Sequence, residues 1–152
     1  MKKCLLRAVL AIAATALSLN MSAQSLGSTL WNEGWTFTKD GVSRSLSLPH
    51  DWGVDSPFVQ EYPGESGKLA WWGKAEYSKT LYVKAKDIKR RKRFFLDFGG
   101  AMSYAKVFCN NEYVTEWPYG YSSFRADLTP FLKAGDNIIK VTLDNPEESS
   151  RW

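Results

Sequence analysis

His50 is the only histidine in the chain, and it stands in "LPHDW", residues 48–52, directly before a carboxylate. A histidine held by a carboxylate is the general-base half of many nucleophilic sites. The spacing speaks against that use. Neighbouring side chains in an extended segment point to opposite faces, so Asp51 is badly placed to orient the ring of His50, and Pro49 favours extended backbone at Leu48. No nucleophile motif such as GxSxG accompanies the pair. His50 and Asp51 are therefore expected to bond locally at the start of a loop. Trp52 should anchor the segment by burial, and Pro49 should stiffen its entry.

Glu61, Glu65, Glu76, Glu112, Glu116, Glu147 and Glu148 supply carboxylates, and hydrolysis of a glycosidic bond needs two of them roughly 5–9.5 Å apart. Their settings read as loops and solvent-facing strand positions, so they are taken as surface acids. No glycine-rich phosphate loop and no cluster with metal-ligand spacing is present; no cofactor and no metal are expected. Aromatic content is the more informative feature, with seven Trp, seven Tyr and eight Phe. Aromatic faces fill the core of a small domain and also pack on the apolar face of a sugar ring while polar groups bond its hydroxyls. Most are assigned to the core. Trp71, Trp72 and Trp152, outside regular strands, are left for ligand contact.

The elements that position these residues read as strands. In "NIIKVTLD" Ile139, Val141 and Leu143 face one way, while Ile138, Lys140 and Thr142 face the other; in "RFFLDF" Phe94, Leu96 and Phe98 oppose Phe95 and Asp97. Residues 35–38, 75–83, 104–109 and 112–117 add further strands rich in aromatic and β-branched residues. Asn110-Asn111 marks a tight hairpin, since both tolerate positive φ, and Gly99-Gly100 and Gly135-Asp136 punctuate neighbouring strands. Only residues 127–135 look helical, and for one short turn at most. Many short antiparallel strands without long helices give an all-β sandwich. Residues 49–73 form its one long loop, where binding commonly resides.

Residues 1–23 have the layout of an export signal: basic Lys2, Lys3 and Arg7, an apolar run from Leu10 to Leu19, and small Ser22-Ala23 for cleavage. The run is too short for a membrane anchor, which needs about 20 apolar residues, and Cys4 precedes it, unlike a lipoprotein cysteine. A secreted or periplasmic protein is expected. Of 20 Lys and Arg, three fall in the signal, leaving 17 against 16 Asp and Glu. The only basic run, "KAKDIKRRKR" at residues 84–93, is read as a solvated connection rather than a polyanion site, and no nucleic-acid partner is expected. Residues 24–152 fit one domain. Cys109, alone there, has no disulfide partner and is expected to be buried in a strand.

"WNEGWTF", "LPHDW", "DFGG", "VFCNN", "GYSSF", "DLTPFLKAGDN" and the closing "SSRW" occur in order. Together they resemble the N-terminal sugar-binding domain of glycoside hydrolase family 2, whose members include β-galactosidase-like and β-glucuronidase-like enzymes. The resemblance runs from Trp31 to Trp152. It implies a galactose-binding-domain-like jelly-roll β-sandwich, here apparently truncated at its C-terminal end, in a larger β-galactosidase-like enzyme. There an immunoglobulin-like domain follows, and then a barrel with two catalytic glutamates and a retaining mechanism. Neither glutamate motif is in this chain, so no catalytic residue is assigned and the 152 residues are expected to be inactive alone. Asp144 and Asn145, near the loop that reaches the barrel mouth in some members, and Arg151 and Trp152 of the "SRW" motif join Trp71 and Trp72 as candidate substrate contacts. A strand-end turn remains the alternative for Asp144-Asn145, and an inter-domain ion pair for Arg151. The expected partners are a carbohydrate substrate and the other domains of the parent enzyme. A free-standing carbohydrate-binding module is the alternative reading; a structural or adhesion sandwich would leave the ordered motifs unexplained.

Overall fold

The alternation in "NIIKVTLD" lies in the middle of an 11-residue strand, and that strand is the spine of the molecule. The computed structural model describes residues 27–62 and 69–146. Among these residues eight strands follow in order: β1 (Trp35–Lys39), β2 (Val42–Leu46), β3 (Gly73–Val83), β4 (Phe95–Phe98), β5 (Ala105–Cys109), β6 (Glu112–Trp117), β7 (Phe124–Asp127) and β8 (Gly135–Asn145). A six-stranded sheet runs β2-β1-β3-β8-β5-β6, and β4 pairs β7 in a second, two-stranded sheet. Every pairing is antiparallel. This is the expected jelly-roll β-sandwich. Gly27 to Trp31, the described part of the first compact unit, have no regular secondary structure.

The period of two sets which face is buried. Ile139, Val141 and Leu143 of β8 are buried, as are Ala75, Tyr77 and Val83 of β3, Trp35 and Phe37 of β1, and Ala105, Val107 and Cys109 of β5. The register lines these up: Arg44, Phe37, Tyr77, Val141, Val107 and Thr115 stand in one row across all six strands. Ala126 and Leu128 complete the core from the second sheet's side. Cys109 is free and buried, as expected, and burial pushes its thiol pKa up.

The Asn110-Asn111 hairpin is present, with φ of 53° and 68°. A matching turn went unread in the sequence: Asp40-Gly41, with φ of 51° and 79°, joins β1 to β2 by the same two-residue geometry. β2 was missed because its residues 42–45 are exposed, so no alternation betrays it. β7 was missed for a similar reason, being four residues with one buried. Residues 127–135 hold only a 3-10 turn, Thr129–Phe131, while a five-residue helix, α1 (Ala85–Lys89), lies unexpectedly in the basic run. It buries no residue, and so has no apolar period to read. Among the described residues no helix is long and apolar enough to cross a membrane. The apolar run of residues 1–23 lies outside them.

Ile139 is fully buried at the centre of β8. Ile139→Ala is expected to cost about 2–5 kcal/mol, read as a lower urea midpoint at unchanged m-value; a loss below about 1 kcal/mol would show that this stretch is not core.

Candidate functional site

β3 begins where β8 ends, with Gly73 opposite Asn145 and Lys74 opposite Asp144. Alternation therefore sends the two predicted contacts to opposite faces. Asn145 turns inward and is buried. Its Nδ2 donates to the Trp71 carbonyl (3.0 Å), and its Oδ1 accepts from the Ser103 hydroxyl (3.0 Å). The Trp52 indole N–H donates to the same Trp71 carbonyl (2.9 Å), and the Asp144 amide donates to the Ser103 carbonyl (3.0 Å). One small set of bonds thus ties four chain segments together. Asp144 faces the outer side, paired with Lys74 at 3.0 Å and about half exposed.

Between the inner face and these tied loops lies a cavity of about 710 Å³, within the range of small-ligand pockets. Trp52, Trp71, Asp97, Met102, Tyr121 and Asn145 are among its walls. The loop bearing Tyr121 lies flush on the loop bearing Met102: a Cβ on Gly120 would come within 2.7 Å of the Met102 side chain and 3.1 Å of its Cα. Only glycine permits that approach. Tyr121 is largely exposed at 77%.

The candidate contacts are therefore divided. Trp71 and Asn145 meet at the cavity. Trp72 is not among the lining residues; it packs edge-on against Trp71 (6.0 Å) and Tyr62 (4.8 Å). Asp144 is on the other face. Arg151 and Trp152 lie outside the described residues, as do Glu65, Glu147 and Glu148. Glu61 and Glu112 are exposed, Glu116 is exposed near Lys106, and Glu76 lies near Lys140. None of these four lines the cavity. Sequence reasoning missed Tyr121 and Met102, whose loops carry no periodic signal. Among the described residues no group of three or more His, Cys, Asp and Glu could hold a metal ion.

"LPHDW" forms one wall, and Trp52 anchors it, 7% exposed, as expected. His50 does not bond locally, however. Its Nδ1 lies 2.7 Å from the Tyr77 hydroxyl, and its Nε2 lies 3.0 Å from Asp55 Oδ2 and 2.9 Å from Arg44 Nη2. Arg44 also pairs with Asp55. The carboxylate partner is five residues away, because the chain must turn before an acid can face the ring. Asp51 instead accepts the Gly53 amide at 2.8 Å. A Tyr–His–Asp series invites a catalytic reading, but the chemistry opposes it. A carboxylate only accepts and a guanidinium only donates, so Asp55 and Arg44 hold each other with the ring's Nε2 against both, while Nδ1 meets the Tyr77 hydroxyl. Burial, seconded by the charge of Asp51, pushes the Tyr77 hydroxyl well above the ordinary phenol range, so it stays protonated and is no nucleophile. The series is a brace between β2, β3 and the loop.

Residues 32–151 match the family model described as glycosyl hydrolases family 2, sugar binding domain. A β-galactosidase of Bacteroides ovatus, BoGH2A, is 41% identical over 116 residues, which take in 74% of this chain and 13% of that protein. A β-glucuronidase of Bacteroides fragilis is 31% identical over 120 residues, 78% of this chain and 16% of that one. A β-glycosidase structure from Bacteroides vulgatus superposes with a TM-score of 0.70 at 30% identity, covering 83% of this chain and 18% of its own. The chain thus spans less than a fifth of the length of these relatives.

The Arg44 hydrogen bond, and then that of His50, hold the Asp55 carboxyl below its usual range. A depressed folded-state pKa gives stability that is present above the unfolded value, about 4, and lost as pH falls through the folded one. Asp55→Asn is therefore expected to be less stable than wild type at neutral pH, the two converging below about pH 4, in urea titrations at stepped pH. A gap that ignores pH would refute the ionic brace. His50→Ala is expected to cost about 1–3 kcal/mol by leaving Tyr77 unpaired, read by the same titration at neutral pH. A loss below about 0.5 kcal/mol would show that His50 braces nothing.

Proposed function

Because the chain belongs to glycosyl hydrolase family 2, as its sugar-binding domain, we propose that it is the N-terminal domain of a secreted, β-galactosidase-like glycosidase. In this reading hydrolysis proceeds with retention on two glutamates of another domain, the (β/α)8 barrel. The domain packs on that barrel and shapes one wall of the substrate pocket. The observation that carries the reading is the 41% identity to the Bacteroides ovatus β-galactosidase over a segment that is only 13% of that enzyme. A part so similar and so small in share fits a supporting domain better than a complete catalyst.

The cavity gives the reading its physical content. Trp71 and Tyr121 line it with aromatic rings, and Asp97, paired with Arg125, lends it a charged edge. That is the mixture a sugar needs. Asn145 spends its amide on Trp71 and Ser103, so its part is to hold the aromatic wall in place. Trp72, packed behind Trp71, backs that wall. Asp144 meets the rest of the protein or the substrate from the outer face, and Arg151 and Trp152 are kept as candidate substrate contacts. The same cavity also favours the alternative of a free-standing carbohydrate-binding module, which works without a barrel.

The 152-residue chain and the longer enzyme that contains it are to be compared on aryl β-galactoside and aryl β-glucuronide. The expected result is no turnover by the domain, turnover of the galactoside by the enzyme, and a secreted product beginning after Ala23 by mass. Hydrolysis by the isolated domain would refute the supporting role. Preference for the glucuronide would remove the galactosidase assignment, and sugar affinity of the domain by calorimetry, lost on Trp71→Ala, would favour the module.

A further inference from the structure

The connection between β3 and β4, residues 84–93, carries seven Lys and Arg and one acid, Asp87. Two of the cations are paired: Lys92 with Asp87 at 2.8 Å and Arg93 with Asp127 at 2.6 Å. Lys84, Lys86, Lys89, Arg90 and Arg91 have no ion pair among the described residues, and all five are exposed. α1 buries nothing, so packing does not require these side chains. Five like charges within eight residues repel one another, a cost that a mere connection avoids by mixing signs. Their field is felt locally: after the Lys92 hydrogen bond, the charges of Lys92, Lys86 and Lys84 lower the Asp87 carboxyl. The register places an acid, Asp136, opposite Tyr82 at this end.

Tyr82 stands two residues before Lys84 and is 67% exposed. A bare phenol ring beside unpaired cations is what an acidic sugar needs: a face for the ring and charges for its carboxylate or sulfate. We propose that residues 82–91 form a docking site for acidic glycan chains, bearing uronate or sulfate groups. The inference rests on the glycosidase reading for its choice of polyanion. A membrane surface would need a broader apolar face than Ile88, at 37% exposure, supplies. The site is remote from the cavity. Tyr77 is the cavity-lining residue furthest along β3, and at about 3.3 Å per residue Val83, beyond which the cations stand, is roughly 20 Å further on. It tethers a polymer away from the cavity.

The test measures binding of the protein to immobilised polygalacturonate, chondroitin sulfate and neutral dextran, with duplex DNA and phosphatidylserine vesicles as further arms. Binding to one or both acidic glycans and not to dextran is expected, weakening at least tenfold in the folded variant Lys86→Gln/Lys89→Gln/Arg90→Gln/Arg91→Gln and several-fold in Tyr82→Ala. Polygalacturonate against chondroitin sulfate decides between carboxylate and sulfate. Equal binding to dextran, unchanged binding by the fourfold variant, or tighter binding to DNA or vesicles than to either glycan would overturn the proposal. Turnover of a small aryl glycoside by the longer enzyme should be the same with and without the four substitutions. If that enzyme turns over no glycoside, the glycosidase reading fails while the binding result stands.

Discussion

The antiparallel ladder between β3 and β8 is the constraint on which the rest depends. It is unbroken for 11 residue pairs, from Gly73 opposite Asn145 to Val83 opposite Gly135. Each strand also pairs outward, β3 with β1 and β8 with β5, so its register decides that of the whole six-stranded sheet. A slip of one residue would turn Tyr77 and Val141 outward together with Ile139, Leu143 and their neighbours. Such a slip exposes several side chains at once, at about 1.5–3 kcal/mol each, which no rearranged loop could offset. The register is therefore fixed by burial, and everything at the two ends of the ladder inherits its position.

The inner face of β8 shows how those ends are organised. It reads Asn137, Ile139, Val141, Leu143, Asn145, all buried: three apolar residues bounded by an amide on each side. Buried amides are tolerated only when bonded, and both are. Asn137 donates to the carbonyls of Lys133 (2.8 Å) and Gly135 (3.0 Å) and accepts from Asn110 (2.8 Å), closing the end near the β5–β6 hairpin. Asn145 performs the equivalent task at the other end, joining Trp71 and Ser103. Loops with no periodicity of their own are thus held by side chains of a strand that has one. That is why the cavity can have fixed walls although much of its lining is irregular.

The same logic explains what could be read in the sequence. The strands with a buried alternating face, β1, β3, β5 and β8, were legible because burial imposes the period. β2, exposed through residue 45, and α1, with no buried residue, were not, although Asp40-Gly41 is a hairpin-turn signal that points to β2. Trp52 was legible as an anchor from its size alone. The partner of His50 was not, since Asp55, Arg44 and Tyr77 reach it only after a loop, a hairpin and a cross-strand row have formed. Asp144 and Asn145 were read as a pair because they are adjacent, and adjacency on a strand is what separates them.

The direction of the ladder also separates two kinds of recognition. At the end where β3 starts, side chains are shared and bonded: the Trp71 carbonyl accepts two hydrogen bonds, and the wall residues lock one another. A site of that kind suits a single sugar in one pose, because rigid walls reduce the ordering cost of binding. At the end where β3 finishes, charged side chains stand exposed on a short helix and the residues that flank it. Such a surface gains little from any single contact, but it gains from many weak ones along a polymer, where each engaged charge raises the effective concentration of the next. In the proposed reading one strand pairing thus keeps apart a pocket that would discriminate and a surface that would accumulate, and neither needs the other to be displaced in order to act.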